Sequence, residues 1–139
     1  MFQLVRRKDY VYGYQVRASI VFYQKDVHKA HLEWIKERLG NVGYIRIRKD
    51  AMAEYTIVGL SQVIQILTLL RPYVRLKKKH IDVAFKIASL LPSYKRLDSN
   101  LLLKVSKYVD LFGILNYSKK RRNTSEQLRN FLNATPRND

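Results

Sequence analysis

Gly43-Tyr44-Ile45-Arg46-Ile47-Arg48-Lys49-Asp50-Ala51-Met52-Ala53-Glu54-Tyr55-Thr56-Ile57-Val58 reads as two strands, 43–48 and 52–58, folded back around Lys49-Asp50. Arg46 and Arg48 stand two residues apart, so they share one face of their strand. An earlier pair repeats the theme. Residues 2–8 and 14–23 are rich in Val, Ile, Tyr and Phe, and Asp9-Tyr10-Val11-Tyr12-Gly13 supplies the turn residues between them. In the second of these strands Gln15, Arg17, Ser19 and Val21 alternate with Val16, Ala18, Ile20 and Phe22. One mostly polar and one apolar face mark a sheet packed on one side only.

The rest of the chain has helical period. Over 25–39 the apolar residues Val27, Leu32, Ile35 and Leu39 recur at helical spacing, with Asp26 as the N-cap and Gly40 as the stop. Residues 60–70 form a helix that Pro72 ends, and 77–91 form another with Ile81, Ala84, Phe85, Ala88 and Leu91 on one stripe. Pro92-Ser93 breaks the chain again before a helix over 99–115. Thr124 and Gln127 have capping-box spacing, so the basic loop before them feeds a final short helix over 125–132. The order ββαββα plus C-terminal helices predicts a single α+β domain over 1–139, with a four-stranded antiparallel sheet, helices on one face and a basic C-terminal segment, 116–139.

Composition narrows the partner. The 139 residues hold 27 Lys+Arg against 11 Asp+Glu, a formal charge of +16, which points to a polyanion, most often nucleic acid. A hydrophobic content of 47% separates the chain from disordered basic proteins. A membrane partner is disfavoured: the longest apolar stretch, 63–70, is interrupted by Gln65 and Thr68 and falls far short of the roughly 20 residues a span needs. There is no cysteine, hence no disulfide, no zinc finger and no thiol nucleophile. Nor does the sequence around Met1 have the composition of a secretory or transit signal.

The polar sheet face carries Gln15, Arg17, Ser19, Arg46, Arg48, Glu54 and Thr56, the donors and acceptors that read base edges. Arg75, Lys77, Lys78 and Lys79, with Lys119, Lys120, Arg121 and Arg122, are candidates for phosphate contact, which positions a nucleic acid without reading its sequence. A solvated surface produces similar patterns; two separate basic runs beside a polar sheet favour binding. Tyr10, Tyr12 and Tyr14 are candidates for stacking on unpaired bases, with core packing as the other role. Catalytic groupings are poor. His28 and His31 lack a third metal ligand, and no acidic residues pair as two-metal phosphodiester cleavage requires.

The blocks 43–48, Glu54-Tyr55, 71–79 and 115–126 together resemble the LAGLIDADG homing endonucleases, in particular the single-motif, homodimeric branch encoded by introns in organellar rRNA genes. The likeness runs from Gln15 to Leu132. It implies a saddle-shaped four-stranded sheet in the DNA major groove, with Gln15, Arg17, Ser19, Arg46, Arg48, Glu54 and Thr56 at base-reading positions. By the same resemblance Gln24 matches a polar residue beside the active site, and Lys77 the basic residue that supports the attacking water or scissile phosphate. Ser118, Lys119 and Thr124 match phosphate contacts in the tail.

The chain departs from the family in one respect. The naming motif is a helix that forms the subunit interface and ends in an acid binding the catalytic metal; no such segment occurs in these 139 residues. The expectation is therefore no catalytic residue beyond the remnant positions Gln24 and Lys77, no metal site, and no cofactor, with Mg²⁺ only if the acidic motif is supplied upstream or in trans. Other proteins would cover the apolar face left without its helix. The favoured reading is an inactive remnant bound to structured RNA such as rRNA, ribosome-associated or maturase-like, in a mitochondrion or chloroplast. The alternatives are a subunit or fragment of an active Mg²⁺-dependent, site-specific DNA homing endonuclease, and a regulator that binds duplex DNA.

Overall fold

The computed structural model describes residues 1–91 and 97–135. The expected break at Pro92-Ser93 lies outside the described residues, as does the end of the basic C-terminal segment. The strands are β1 (Phe2–Arg6), β2 (Tyr14–Lys25), β3 (Tyr44–Ile47) and β4 (Met52–Val58), and they form one sheet in the order β1-β2-β4-β3. The helices are α1 (Lys29–Arg38), α2 (Leu60–Leu70), α3 (Lys78–Leu90), α4 (Ser99–Leu115) and α5 (Ser125–Ala134). The fold is the expected antiparallel sheet with helices packed on one face. By backbone proximity the chain groups into two compact units: Met1 with Ala18–Leu70, and Phe2–Arg17 with the chain from Arg71 onward.

In the first unit β4 is the inner strand, paired antiparallel with β2 on one side and β3 on the other. Ala53, Tyr55 and Ile57 point to the core and are fully buried beneath Leu32 of α1 and Val63 and Ile66 of α2. Phe22 stacks on Tyr55 with ring centroids 5.6 Å apart. The Tyr55 hydroxyl donates to the Val42 carbonyl at 2.6 Å, satisfying the one polar atom that this ring takes into the interior.

Two expectations for this unit need correction. Asp26 does not cap α1. It opens a 3₁₀ turn, Asp26–His28, and its backbone N–H donates to the Ala51 carbonyl across the sheet end, so β2 continues to Lys25 and the α-helix starts only at Lys29. Ser19, Glu54 and Thr56, placed on an exposed face, are buried. The reason is position in the sheet: Thr56 lies between Val21 and Tyr44, and Glu54 between Tyr23 and Arg46, so longer neighbours on both flanking strands cover the shorter side chains.

In the second unit α4 is the central helix, packed against β1, α3 and α5. Its Leu102, Val105, Val109 and Phe112 form a buried stripe at spacings of three and four, and Asp98 caps its start by accepting from the Leu101 N–H at 2.7 Å. Phe2 of β1 lies 5.3 Å from Phe112. The capping box at Thr124 and Gln127 is present. Tyr14 is a core residue set edge-on to Phe131 of α5 at 5.6 Å, and therefore not a stacking platform for bases.

The turn into β3 requires glycine at one position. Gly43 has φ +82°, and a Cβ there would collide with the Thr56 carbonyl oxygen of the paired strand. Gly43→Ala should destabilise the protein by about 2 kcal/mol or more through strain and lost pairing, measured as a lower denaturation midpoint in urea. A shift within error would mean that the turn adjusts without cost.

Candidate nucleic-acid interface

Register fixes which side chains share the outward face of the first unit. Tyr23, Glu54 and Arg46 form one row across β2, β4 and β3; Val21, Thr56 and Tyr44 form the next. Lys25 and Met52 pair at the sheet end, where Arg48 donates its N–H to the Met52 carbonyl just beyond β3. Tyr23, Val21, Lys25, Met52 and Tyr44 were not singled out from sequence. Alternation places them on the same face as their neighbours, Met52 with Glu54, Val21, Tyr23 and Lys25 with Ser19, and Tyr44 with Arg46; the register adds which of them share a row.

Arg46 Nη2 donates to Glu54 Oε2 at 2.7 Å, and Arg48 Nη1 donates to Glu54 Oε1 at 3.0 Å. Arg48 Nη2 lies 2.8 Å from Asp50 Oδ2. The Glu54 carboxylate is 10% exposed, whereas Arg46 is 64% and Arg48 41% exposed. One sunken carboxylate thus fixes two guanidiniums that remain open to solvent. The hydrogen bond from Arg46 is the main cause holding the Glu54 carboxyl below the usual carboxylate range; burial pushes the other way, and Arg48 adds to the lowering. Arg48 is raised in turn, chiefly by its bond to Glu54. Both Glu54 oxygens are engaged by the arginines, and the carboxylate that holds them is largely buried.

Of the other positions, Gln15 and Arg17 are exposed on β2. Gln24 pairs with Ala53, whose side chain is on the core side, so Gln24 belongs to the face opposite Glu54; its Oε1 accepts from the Lys25 N–H at 3.0 Å. Arg75, Lys77, Lys78 and Lys79 are exposed around the start of α3, and Lys119, Lys120 and Arg122 are exposed in the loop before α5. Among the described residues none of these seven makes an ion pair. Arg121 differs: it lies across Gly113 and donates from Nη1 to the Asp110 carbonyl at 2.8 Å. The Thr124 hydroxyl belongs to the capping box, while Ser118 is exposed and its N–H donates to the Gly113 carbonyl.

His28 and His31 stand 5.9 Å apart, and among the described residues no three His, Cys, Asp or Glu side chains group so as to hold a metal ion. Among the described residues, then, no such cluster offers a site for a catalytic Mg²⁺. No helix among the described residues is long and apolar enough to cross a membrane.

A four-stranded antiparallel sheet whose outward face carries oriented arginines, on a strongly basic chain, defines a nucleic-acid-binding fold. No protein-family model matches the chain. It is 34% identical to the DNA endonuclease I-CvuI of Chlorella vulgaris over 94% of this chain and 79% of that protein. It is 30% identical to the DNA endonuclease I-CreI of Chlamydomonas reinhardtii over 95% of this chain and 79% of that one. A crystal structure of I-CvuI in complex with the I-CreI target DNA superposes with a TM-score of 0.88 at 33% identity, covering 95% of this chain and 82% of that chain. The chain belongs to the LAGLIDADG homing endonuclease family.

Because the folded-state value of Glu54 is depressed, its ion pairs contribute fully above the ordinary glutamate value of about 4.3 and are lost as pH falls through the lowered one. Arg46→Ala should raise the Glu54 midpoint toward that ordinary value, read by NMR titration of the side-chain carboxyl carbon. An unmoved midpoint would remove Arg46 as the main cause.

Proposed function

We propose that this chain is the recognition part of a site-specific DNA endonuclease of the LAGLIDADG family, laying its outward sheet face in the major groove of duplex DNA. The observation that carries the reading is the pair of exposed guanidiniums held on one carboxylate. Arginine is suited to guanine edges, and orienting it before binding lowers the entropy lost on contact. Gln15 and Arg17, exposed on β2, are further base-reading candidates, and the exposed cations around α3 and before α5 are candidates for phosphate contact. The cutting chemistry would come from a divalent ion held by acidic groups that these residues do not gather.

The relatives favour DNA over the RNA-bound remnant expected from sequence: I-CvuI and I-CreI are DNA endonucleases, and I-CvuI is seen in complex with DNA. The geometry favours it too. B-DNA has a major groove wide enough for a two-stranded ribbon, whereas that of A-form RNA is deep and narrow. An organellar source goes with this reading.

Duplex DNA carrying the recognised site should therefore outcompete structured RNA of equal charge, and affinity should fall steeply with added salt. Arg46→Ala should relax sequence preference, whereas Lys120→Ala should weaken all DNA ligands alike. Competition binding at two salt concentrations tests both; equal losses for the two variants on every sequence would sink the base-reading assignment.

A further inference from the structure

Helix α4 shows solvent a stripe that its packing does not use. Lys104, Lys107, Leu111 and Ile114 recur at spacings of three and four on the side opposite the buried Leu102, Val105, Val109 and Phe112, and all four are exposed. Leu111 is 38% and Ile114 60% exposed, and Tyr117, just past the helix end, is 89% exposed. Single apolar residues on a surface are ordinary; three within about two turns form a patch of the kind that marks an interaction site. Tyr117 is also held against backbone preference. The Ser118 N–H donates to the Gly113 carbonyl and the Tyr117 N–H to the Ile114 carbonyl, the paired bonds of a helix end whose residue after the cap turns left-handed. That residue is Tyr117, at φ +53°, a conformation that glycine takes without strain. Neither burial nor backbone preference accounts for a tyrosine there, which leaves its ring.

Charge along the stripe says what kind of partner covers it. Among the described residues neither Lys104 nor Lys107 makes an ion pair. The carboxylate of the same helix nearest the apolar end, Asp110, is already engaged by Ser125 and Arg121 and offers the partner no free negative charge. A second copy of this chain, itself strongly basic, is a poor match. Nucleic-acid phosphates would suit the lysines and leave Leu111 and Ile114 uncovered. From Lys104 to Ile114 the stripe is about 15 Å long at 1.5 Å per residue, and a narrow line of that length is the footprint of a helix laid alongside, not of a plane. We propose that it docks an acidic amphipathic helix of a partner protein, whose apolar side chains cover Leu111, Ile114 and Tyr117 and whose carboxylates meet Lys104 and Lys107. The inference stands apart from the DNA reading above.

The probe is a fluorescein-labelled synthetic helix of alanine and glutamine, with leucines at spacings of three and four and a pair of glutamates one turn further along the same face. In anisotropy titrations against the 139-residue protein it should bind in the micromolar range. An isomer with the glutamates moved to the opposite face should bind about fivefold more weakly or worse. Lys104→Glu combined with Lys107→Glu should abolish binding of the probe and create binding of its counterpart with lysine in place of glutamate. Lys86→Glu, the same charge change at an exposed position of α3, should alter affinity by about twofold at most. Ile114→Asp should weaken the probe about tenfold. Tyr117→Gly separates docking from folding: relief of the left-handed strain should hold or raise the urea midpoint while affinity falls about threefold. Equal binding of the two isomers, or losses at Ile114 and the two lysines no larger than at Lys86, overturns the inference. Tighter binding to phosphatidylglycerol vesicles than to the probe, abolished by Ile114→Asp, overturns it in favour of a lipid surface.

Discussion

The outward face depends on a carboxylate in the inner strand. Glu54 sits where neighbours on both sides close over it, and an unpaired charge there would be costly. Arg46 and Arg48 come from the adjoining strand and turn, so the requirement to neutralise Glu54 also dictates where two guanidiniums stand. Each has donors to spare, and a carboxylate binds only part of a five-donor group. The result is positive charge of fixed direction on a surface that would otherwise hold floppy side chains. An arginine that must be frozen at the moment of contact loses more entropy than one already held.

The second unit divides its charge differently. Asp110 of α4 accepts from the Ser125 backbone N–H and hydroxyl, and its own backbone carbonyl accepts from Arg121. Arg121 can lie flat on the helix only because residue 113 has no side chain in its way. Asn123 adds a bond to the Leu4 carbonyl on β1. One member of the basic run, Arg121, is thereby used to tie the loop to α4, and Ser125 ties its far end to the same Asp110. Lys119, Lys120 and Arg122 are left pointing to solvent on a segment with a fixed course. A polyanion meeting them encounters cations presented by an ordered loop.

Element type and order were legible in the sequence because each rests on short-range signals: alternation in 14–23, the apolar stripe of 77–91, and the Thr124/Gln127 box. The pair Arg46 and Arg48 was legible for the same reason, since two residues apart on a strand means one face. What escaped was whatever depends on strand partners. Nothing in the order of residues says that 52–58 is the inner strand, so Glu54 and Thr56 looked exposed. That Tyr23 flanks Glu54 and Tyr44 flanks Thr56 required the register, and Asp26 became part of a 3₁₀ turn because Ala51, far along the chain, takes its N–H. Arg121 could not be told from its neighbours, because its selection depends on Gly113 in the last turn of α4.

Strand partnering also bears on the kind of nucleic acid this surface accepts. A flexible cluster of cations adapts to any polyanion, which is why composition alone left RNA and DNA open. Rows of side chains set across three strands are less tolerant: their spacing is fixed by backbone geometry, at about 6.8 Å along a strand and about 4.8 Å between strands. A groove must admit the ribbon to full depth for both rows to touch bases at once. The major groove of B-DNA, about 12 Å wide, does so, and the narrow one of an A-form duplex does not. On the proposed reading, the order imposed by Glu54 suits a partner with an open major groove.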